Sequence, residues 1–225
     1  MTLARAWFIT GTDTEIGKTY STCALLHAAR AQGLSALGMK PVAAGAEQRN
    51  GEWINEDAAC LREASSFDPG LALLNPYCLR SPIAPHIAAQ EEGRTIATAP
   101  LLRAFGELRR QADIVLVEGV GGFRVPLRHD YDTADLARDF GLPVILVVGM
   151  RLGCISHALL TAEAIRQRDL ELAGWVANTV DPAMLRFEEN VEALRQRLET
   201  PLLGVLPHLD SPAEAAARCG LRLPA

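Results

Sequence analysis

The chain has 225 residues, and 49% of them are apolar, enough to bury a substantial core without disulfides. A formal charge of −5 argues against a nucleic-acid or anionic-membrane surface as the main partner. The five cysteines (Cys23, Cys60, Cys78, Cys154, Cys219) include no C-x-x-C pair and no zinc-like spacing, so they fit a reducing compartment. No apolar run between Met1 and Trp7 is flanked like a signal peptide, and the longest apolar stretch, Pro143 to Gly149, is too short to span a bilayer. The expectation is a soluble, cytoplasmic protein.

Short β-branched runs alternate with helical patterns along the chain. That alternation predicts an α/β fold with a mostly parallel sheet flanked by helices on both faces, three layers in all. A strand at Ala6–Thr10 leads into a glycine-bearing loop, then a helix over Lys18–Gln32 that stops at Gly33. A second strand covers Ala36–Lys40. The region from Gly45 to Pro100 is irregular apart from a helix at Glu56–Ala64, and reads as an insertion over the strand ends. A helix at Leu101–Gln111 precedes a buried strand at Ile114–Glu118. Further strands follow at Val144–Val148, Trp175–Asn178 and Leu202–Leu206, with helices at Ile155–Arg168 and Ala183–Leu198. Asp181 and Pro182 read as the N-cap and first residue of the latter. No linker or repeat interrupts the series, so residues 1–225 read as one domain.

The most informative segment is Gly11-Thr12-Asp13-Thr14-Glu15-Ile16-Gly17-Lys18-Thr19, directly after a strand and before a helix. Phosphate-binding loops need that context. Glycines let backbone N–H groups turn inward, the helix start adds positive potential, and the lysine reaches the β/γ-phosphates. The hydroxyl of Thr19 is placed to ligate Mg²⁺. The loop is one residue longer than the common pattern, because Thr12 stands where the first glycine belongs. A plain strand-to-helix turn is the competing reading. A second element supports the first: the strand ending at Glu118 runs into Gly119, Val120, Gly121 and Gly122. A carboxylate at that strand end lies near the metal in P-loop proteins; alone, it could also be a strand-end solvating group.

Thr10 to Thr19 resembles the N-terminal signature of the dethiobiotin synthetases, extra loop residue included. Further matches run in order over nearly the whole chain: Lys40-Pro41-Val42 with Gly45, Asp57, Asn75-Pro76-Tyr77, Ser81-Pro82 through Pro85-His86, Val117-Glu118-Gly119 with Gly121-Gly122, Leu142 to Val148, Leu152-Gly153-Cys154-Ile155, Gly174 to Asn178, and Pro201 to Gly204. The resemblance implies a P-loop ligase that joins CO2 to 7,8-diaminononanoate and closes a cyclic urea, with ATP converted to ADP and phosphate.

By that resemblance Lys18 and Lys40 are the catalytic cations, the first on the β/γ-phosphates and the second on the carbamate. Thr19, Asp57 and Glu118 would hold Mg²⁺, although Asp57 could instead serve the dipole of its own helix. The nucleotide would be held by Thr14, Glu15, Ile16, Gly17, Lys18, Thr19, Tyr20, Gly119, Val120 and Gly121. Its base and ribose would meet Asn178, Thr179, Pro207, His208, Leu209 and Glu214. Glu214 has a second reading, since Ser211-Pro212-Ala213-Glu214 is also a helix-capping box. The diamine would meet Thr14, Lys40 and Ala44, and its carboxylate tail would meet Gly153, Cys154, Ile155 and Ser156 at a helix start near a homodimer interface.

Two positions depart from the family pattern. Ala44 stands where a Ser or Thr is usual, and Asn190 replaces a tyrosine on the helix after the fifth strand. Both bear on diamine binding and leave the ATP machinery intact. Cys154 and the histidines read as structural, with His86 and His157 hydrogen-bonded and His27 mid-helix. The rival readings are a positioning or partitioning ATPase, which carries a lysine where this chain has Asp13, an amide ligase needing a further glutamine-hydrolysing domain, and a binding protein that has lost its chemistry.

Overall fold

The computed structural model describes residues 4–49 and 51–224; residues 1–3 of the N-terminal stretch read above lie outside them. β1 (Arg5–Gly11) leads to α1 (Lys18–Ala31), then β2 (Ala36–Met39), β3 (Val42–Ala44) and a hairpin of β4 (Ala46–Arg49) and β5 (Glu52–Asn55). Next come α2 (Glu56–Ala64), α3 (Leu71–Leu74), β6 (Tyr77–Leu79), α4 (Pro85–Glu91) and α5 (Thr98–Leu108). After β7 (Ile114–Glu118) a small hairpin of β8 (Pro126–Arg128) and β9 (Tyr131–Asp132) precedes α6 (Thr133–Phe140) and β10 (Val144–Gly149). The chain ends with α7 (Cys154–Arg166), β11 (Leu172–Asn178), α8 (Phe187–Leu198), β12 (Leu202–Leu206) and α9 (Pro212–Cys219).

Six strands form one parallel sheet in the order β12-β11-β10-β1-β7-β2. Its alternating faces feed two cores. Ala6 and Phe8 of β1 face one layer, with Phe105 of α5 and Phe140 of α6 packed edge to face at 5.0 Å; Trp7 and Ile9 face the other, under α1, α2 and α9. Every residue of β7 and β10 is buried, which is why those strands read as unbroken apolar runs rather than alternating ones. Chain order reverses between β1 and β10, so the crevice at a topological switch point opens above the carboxyl end of β1.

The sheet strands lie where the sequence predicts them, except that β11 starts three residues early, at Leu172. Two helices differ. α5 spans Thr98–Leu108 rather than Leu101–Gln111, because Pro100 sits in its first turn, where no intrahelical donor is needed. α8 begins at Phe187 rather than Ala183. Asp181 accepts the N–H of Ala183 on its side chain (3.0 Å) and that of Met184 on its carbonyl (3.2 Å), closing a turn in place of a cap. The region from Gly45 is also more ordered than expected, since it builds the β4–β5 hairpin, α3, β6 and α4 over the strand ends.

Candidate active site

The loop after β1 is pinned from β10, its neighbour in the sheet, and from β11 beyond it. Thr12 donates its N–H to Val147 O of β10 (3.1 Å), and Asn178 at the end of β11 donates Nδ2 to Ile16 O (2.9 Å). Gly17 has φ 79°, in the left-handed region, and a Cβ there would lie 2.1 Å from Asn178 Nδ2, so the position requires glycine. Glu15 is left-handed too, at φ 58°, a conformation that costs roughly 1–2 kcal/mol for a residue with a Cβ. Such strain persists where the surroundings over-determine it, here between the anchored Thr12 N–H and the anchored Ile16 carbonyl.

Lys18 opens α1 and is buried, its Nζ donating to Asp13 O (3.0 Å). Burial, joined by the charge of Lys40, pulls its pKa down to about 8. Lys40 follows β2. Its N–H donates to Leu74 O (2.7 Å) and its carbonyl accepts Asn75 Nδ2 (2.6 Å), which fixes the backbone from which the side chain departs. The Lys40 ammonium is 1% exposed and lies 2.7 Å from Asp57 Oδ2 and 2.6 Å from Glu118 Oε1. Burial works against its charge, but Glu118 and Asp57 outweigh it and hold the pKa above the ordinary lysine value. Asp57 shows the counterpart: burial pushes its carboxyl up, and Lys40 brings it below the usual range.

Thr19 Oγ1 donates to Glu118 Oε1 (2.7 Å), so Thr19, Asp57 and Glu118 meet around one ammonium. Asp57 reaches that point because Asn55 caps α2, accepting the N–H of Ala58 while donating to the carbonyls of Ala44 and Gly45 (3.1 Å each). Glu118 Oε2 is buried without a hydrogen-bond partner, an acceptor left for another donor or a cation. Among the described residues no three His, Cys, Asp or Glu side chains form a metal cluster. The oxygen set is two carboxylates and a hydroxyl, which fits a hard cation that takes its other ligands from phosphate and water.

A cleft of ≈ 920 Å³ runs past these groups, lined by Thr14, Glu15, Gly17, Lys18, Thr19, Lys40, Ala44, Asp57, Val120 and Gly121. Gly119 adds its carbonyl 3.2 Å from Lys40 Nζ. Beside the cleft, a smaller hollow of ≈ 280 Å³ is lined by Glu15, Gly17, Tyr20, Asn178, Thr179, Pro207, His208 and Leu209. The two hollows share Glu15 and Gly17, so one elongated ligand can occupy both. The residues that the sequence reading assigns to the phosphates and to the base line these two adjoining hollows, except Ile16, Gly119 and Glu214.

A family model described as an AAA domain matches residues 5–215. The ATP-dependent dethiobiotin synthetase BioD of Aromatoleum aromaticum is 70% identical over 224 residues, covering 100% of both chains. The chain belongs to the ATP-dependent dethiobiotin synthetase family. The enzyme of the same name from Xanthomonas oryzae pv. oryzae is 53% identical over 97% of this chain and 98% of its own. Among solved structures, the MinD cell division protein of Aquifex aeolicus aligns with TM-score 0.55 at 17% identity, over 96% of this chain and 87% of that one. A chloroplast FtsY from Physcomitrella patens aligns with TM-score 0.55 at 16% identity, over 97% and 65%. These distant likenesses show the shared P-loop fold, and the curated relatives show the ligase family.

Within that family frame, some expected residues stand apart from the cleft. Gly153 caps α7 at φ 95°, Cys154 is buried beneath it, Ile155 is half-buried and Ser156 exposed; none lines the cleft of the same chain. Glu214 lies outside the base hollow, where its N–H donates to the Ser211 cap (3.3 Å) and its carboxylate pairs with Arg218 at 2.5 Å. Asn190 donates to Arg186 O (2.7 Å). His86, expected to be hydrogen-bonded, keeps Nδ1 buried without a partner.

Sequence reasoning passed over Asn55 and Asn75, which position Asp57 and Lys40, and the apolar wall of Pro82, Ile83, Ala84, Pro85 and Val125. Asn75-Pro76 was visible as a motif, but its hydrogen bond to Lys40, 35 positions away, was not.

Proposed function

We propose that this chain, as one domain, forms dethiobiotin from 7,8-diaminononanoate, CO2 and ATP in the cytoplasm. The observation that carries the reading is the Lys40 ammonium set against Asp57 and Glu118 at the mouth of a phosphate loop, facing a cleft with an apolar far wall. One amine of the substrate adds to CO2, giving a carbamate and releasing a proton. The carbamate oxygen attacks the γ-phosphorus, and the bond to the β-phosphate oxygen breaks to release ADP. The second amine then attacks the carbamic–phosphoric anhydride at carbon, closing the cyclic urea and expelling phosphate.

No covalent enzyme intermediate is needed, so the work of the site is orientation and charge stabilisation. Lys18 and the first amides of α1 hold the β/γ-phosphates. Lys40 stabilises the negative charge shared by the carbamate and the transferring phosphoryl group. Thr19, Asp57 and Glu118 would hold Mg²⁺, which supplies further neutralisation of the phosphate oxygens. Asn178, Thr179 and residues 207–209 receive the base, and Tyr20 closes its edge. Ala44 and Thr14 face the diamine beside the apolar wall, which suits its methylene chain.

The carboxylate tail requires segment 153–156, which one chain does not bring to its own cleft. Leu152 beside it is 94% exposed and Leu160 on the same helix 63%. An apolar surface of this kind supports a homodimer in which α7 packs against a second copy and completes the site. No described helix is long and apolar enough to cross a membrane.

The test is phosphate release by purified protein with ATP, Mg²⁺ and bicarbonate, with and without the diamine. Diamine-dependent phosphate with an equal amount of cyclic urea in the mass spectrum is expected. Hydrolysis indifferent to the diamine would sink the assignment and leave only the fold.

A further inference from the structure

The phosphate loop carries one acid that none of these roles uses. Asp13 sits at the loop crest, beside the seat of the triphosphate in the function proposed above, on which this inference rests. A free carboxylate there would repel phosphate oxygens. Both of its oxygens are engaged: Oδ1 accepts the N–H of Thr14 (2.8 Å), and Oδ2 lies 2.6 Å from Arg151 Nη2. Its backbone carbonyl is also the acceptor for Lys18 Nζ. Arg151 follows β10 and belongs to the turn that opens α7, where its carbonyl accepts the N–H of Cys154 (3.0 Å). The side chain of Arg151 therefore joins the start of α7 to the loop that carries Lys18.

We propose that Arg151 is a positioning residue for the phosphate loop, neutralising Asp13 and holding the loop crest so that Lys18 and the loop amides meet the triphosphate without an opposing charge. The two side chains are 46% and 47% exposed, and exposed pairs of this kind add little to stability. Its effect belongs in nucleotide binding. The link to α7 also places the pair between the phosphate loop and the segment assigned to the substrate tail.

The experiment compares full-length wild type with Arg151→Ala, Arg151→Lys, Asp13→Asn and the Arg151→Ala/Asp13→Asn double variant. ATP affinity is measured by calorimetry with Mg²⁺ and a non-hydrolysable ATP analogue, KM and kcat by phosphate release, and folding by thermal midpoint. Arg151→Ala is expected to weaken nucleotide binding about fivefold with an unchanged midpoint, and Arg151→Lys to recover most of it. In the Asp13→Asn background the same Arg151→Ala change should cost nothing further, because the charge it shields is gone. The Arg151→Ala defect should shrink as ionic strength rises. Unchanged nucleotide affinity in Arg151→Ala overturns the proposal, as does a loss that persists in full in the Asp13→Asn background. A rise confined to the diamine KM overturns it too, placing Arg151 on the substrate instead. Should wild type make no cyclic urea, the functional reading fails, while the calorimetric comparison still decides the role of the pair.

Discussion

The Lys40 ammonium lies 2.6 Å from Glu118 Oε1 with neither side chain open to solvent, at 2% and 0% exposure. A buried pair of this kind contributes little net stability over an apolar pair, yet removing one partner leaves an uncompensated charge. Lys40→Gln is therefore expected to lower stability by about 3–5 kcal/mol. Lys40→Gln/Glu118→Gln should recover most of that loss. Activity should behave differently: Lys40→Gln should cut kcat at least about a hundredfold, and the double variant should not restore it. Urea melts and steady-state rates on wild type and the two variants separate the effects. A Lys40→Gln protein with full kcat would remove Lys40 from the chemistry.

A second expectation concerns pH. Asp135 completes a capping box with Asp132 at the start of α6, each side chain accepting the other's backbone N–H at 3.0 Å. Burial pushes its carboxyl up, but the Asp132 N–H and Arg168, 2.5 Å away, hold it below the ordinary value. The folded pKa is depressed, so the stabilisation is complete above the unfolded-state value and lost as pH falls through the folded one. Asp135→Asn should cost about 1 kcal/mol near neutral pH. The gap between wild type and variant should begin to narrow below about pH 4 and go on closing as pH falls through the folded value. Thermal midpoints taken from pH 7 down to pH 3 would show it. A gap constant over that range would mean that shape, not charge, carries the cap.

What the sequence disclosed depended on how local the signal was. Lys18 after Gly17, and Glu118 before Gly119, each carry their meaning within a few residues, and they stand where they were assigned, at the start of α1 and the end of β7. The start of α8 was misread because Asp-Pro followed by apolar residues suits a helix cap and an Asp-based turn equally, and only the backbone after Pro182 decides. Asn75 and Arg151 were invisible as positioning residues. Their partners, Lys40 and Asp13, lie far away in sequence, and a lone Asn or Arg in a loop has no periodicity to betray it. The segment 153–156 was recognised by resemblance, but its distance from the cleft could come only from the packing of α7.

The exposed apolar surface beside α7 gives a third prediction. If Leu152 is covered by a second copy, Leu152→Asp places a charge in that interface. Light scattering should then report a dimer for wild type and a monomer for the variant. The diamine KM should rise more than tenfold, while ATP affinity, built from one chain's own hollows, stays within a factor of two or so. A monomeric wild type with normal diamine affinity would contradict the shared site.

Ala44 supplies the last test. It lines the cleft at the end of β3, with its carbonyl held by Asn55 Nδ2 at 3.1 Å, so its backbone is fixed whatever side chain it carries. The resemblance read from the sequence implies a hydroxyl residue at this position. Ala44→Ser adds one group able to hydrogen-bond a polar or charged part of the substrate. Such a bond contributes roughly 1 kcal/mol when geometry is good, so the diamine KM should fall about fivefold. The ATP KM should stay constant, because Ala44 does not line the base hollow and the substitution leaves in place the carbonyl that Asn55 uses. An unchanged diamine KM would mean that a backbone amide or a bridging water already satisfies the group that the hydroxyl would reach. A raised diamine KM would show that the cleft is shaped around the missing oxygen, and that this enzyme prefers the tighter, more apolar fit.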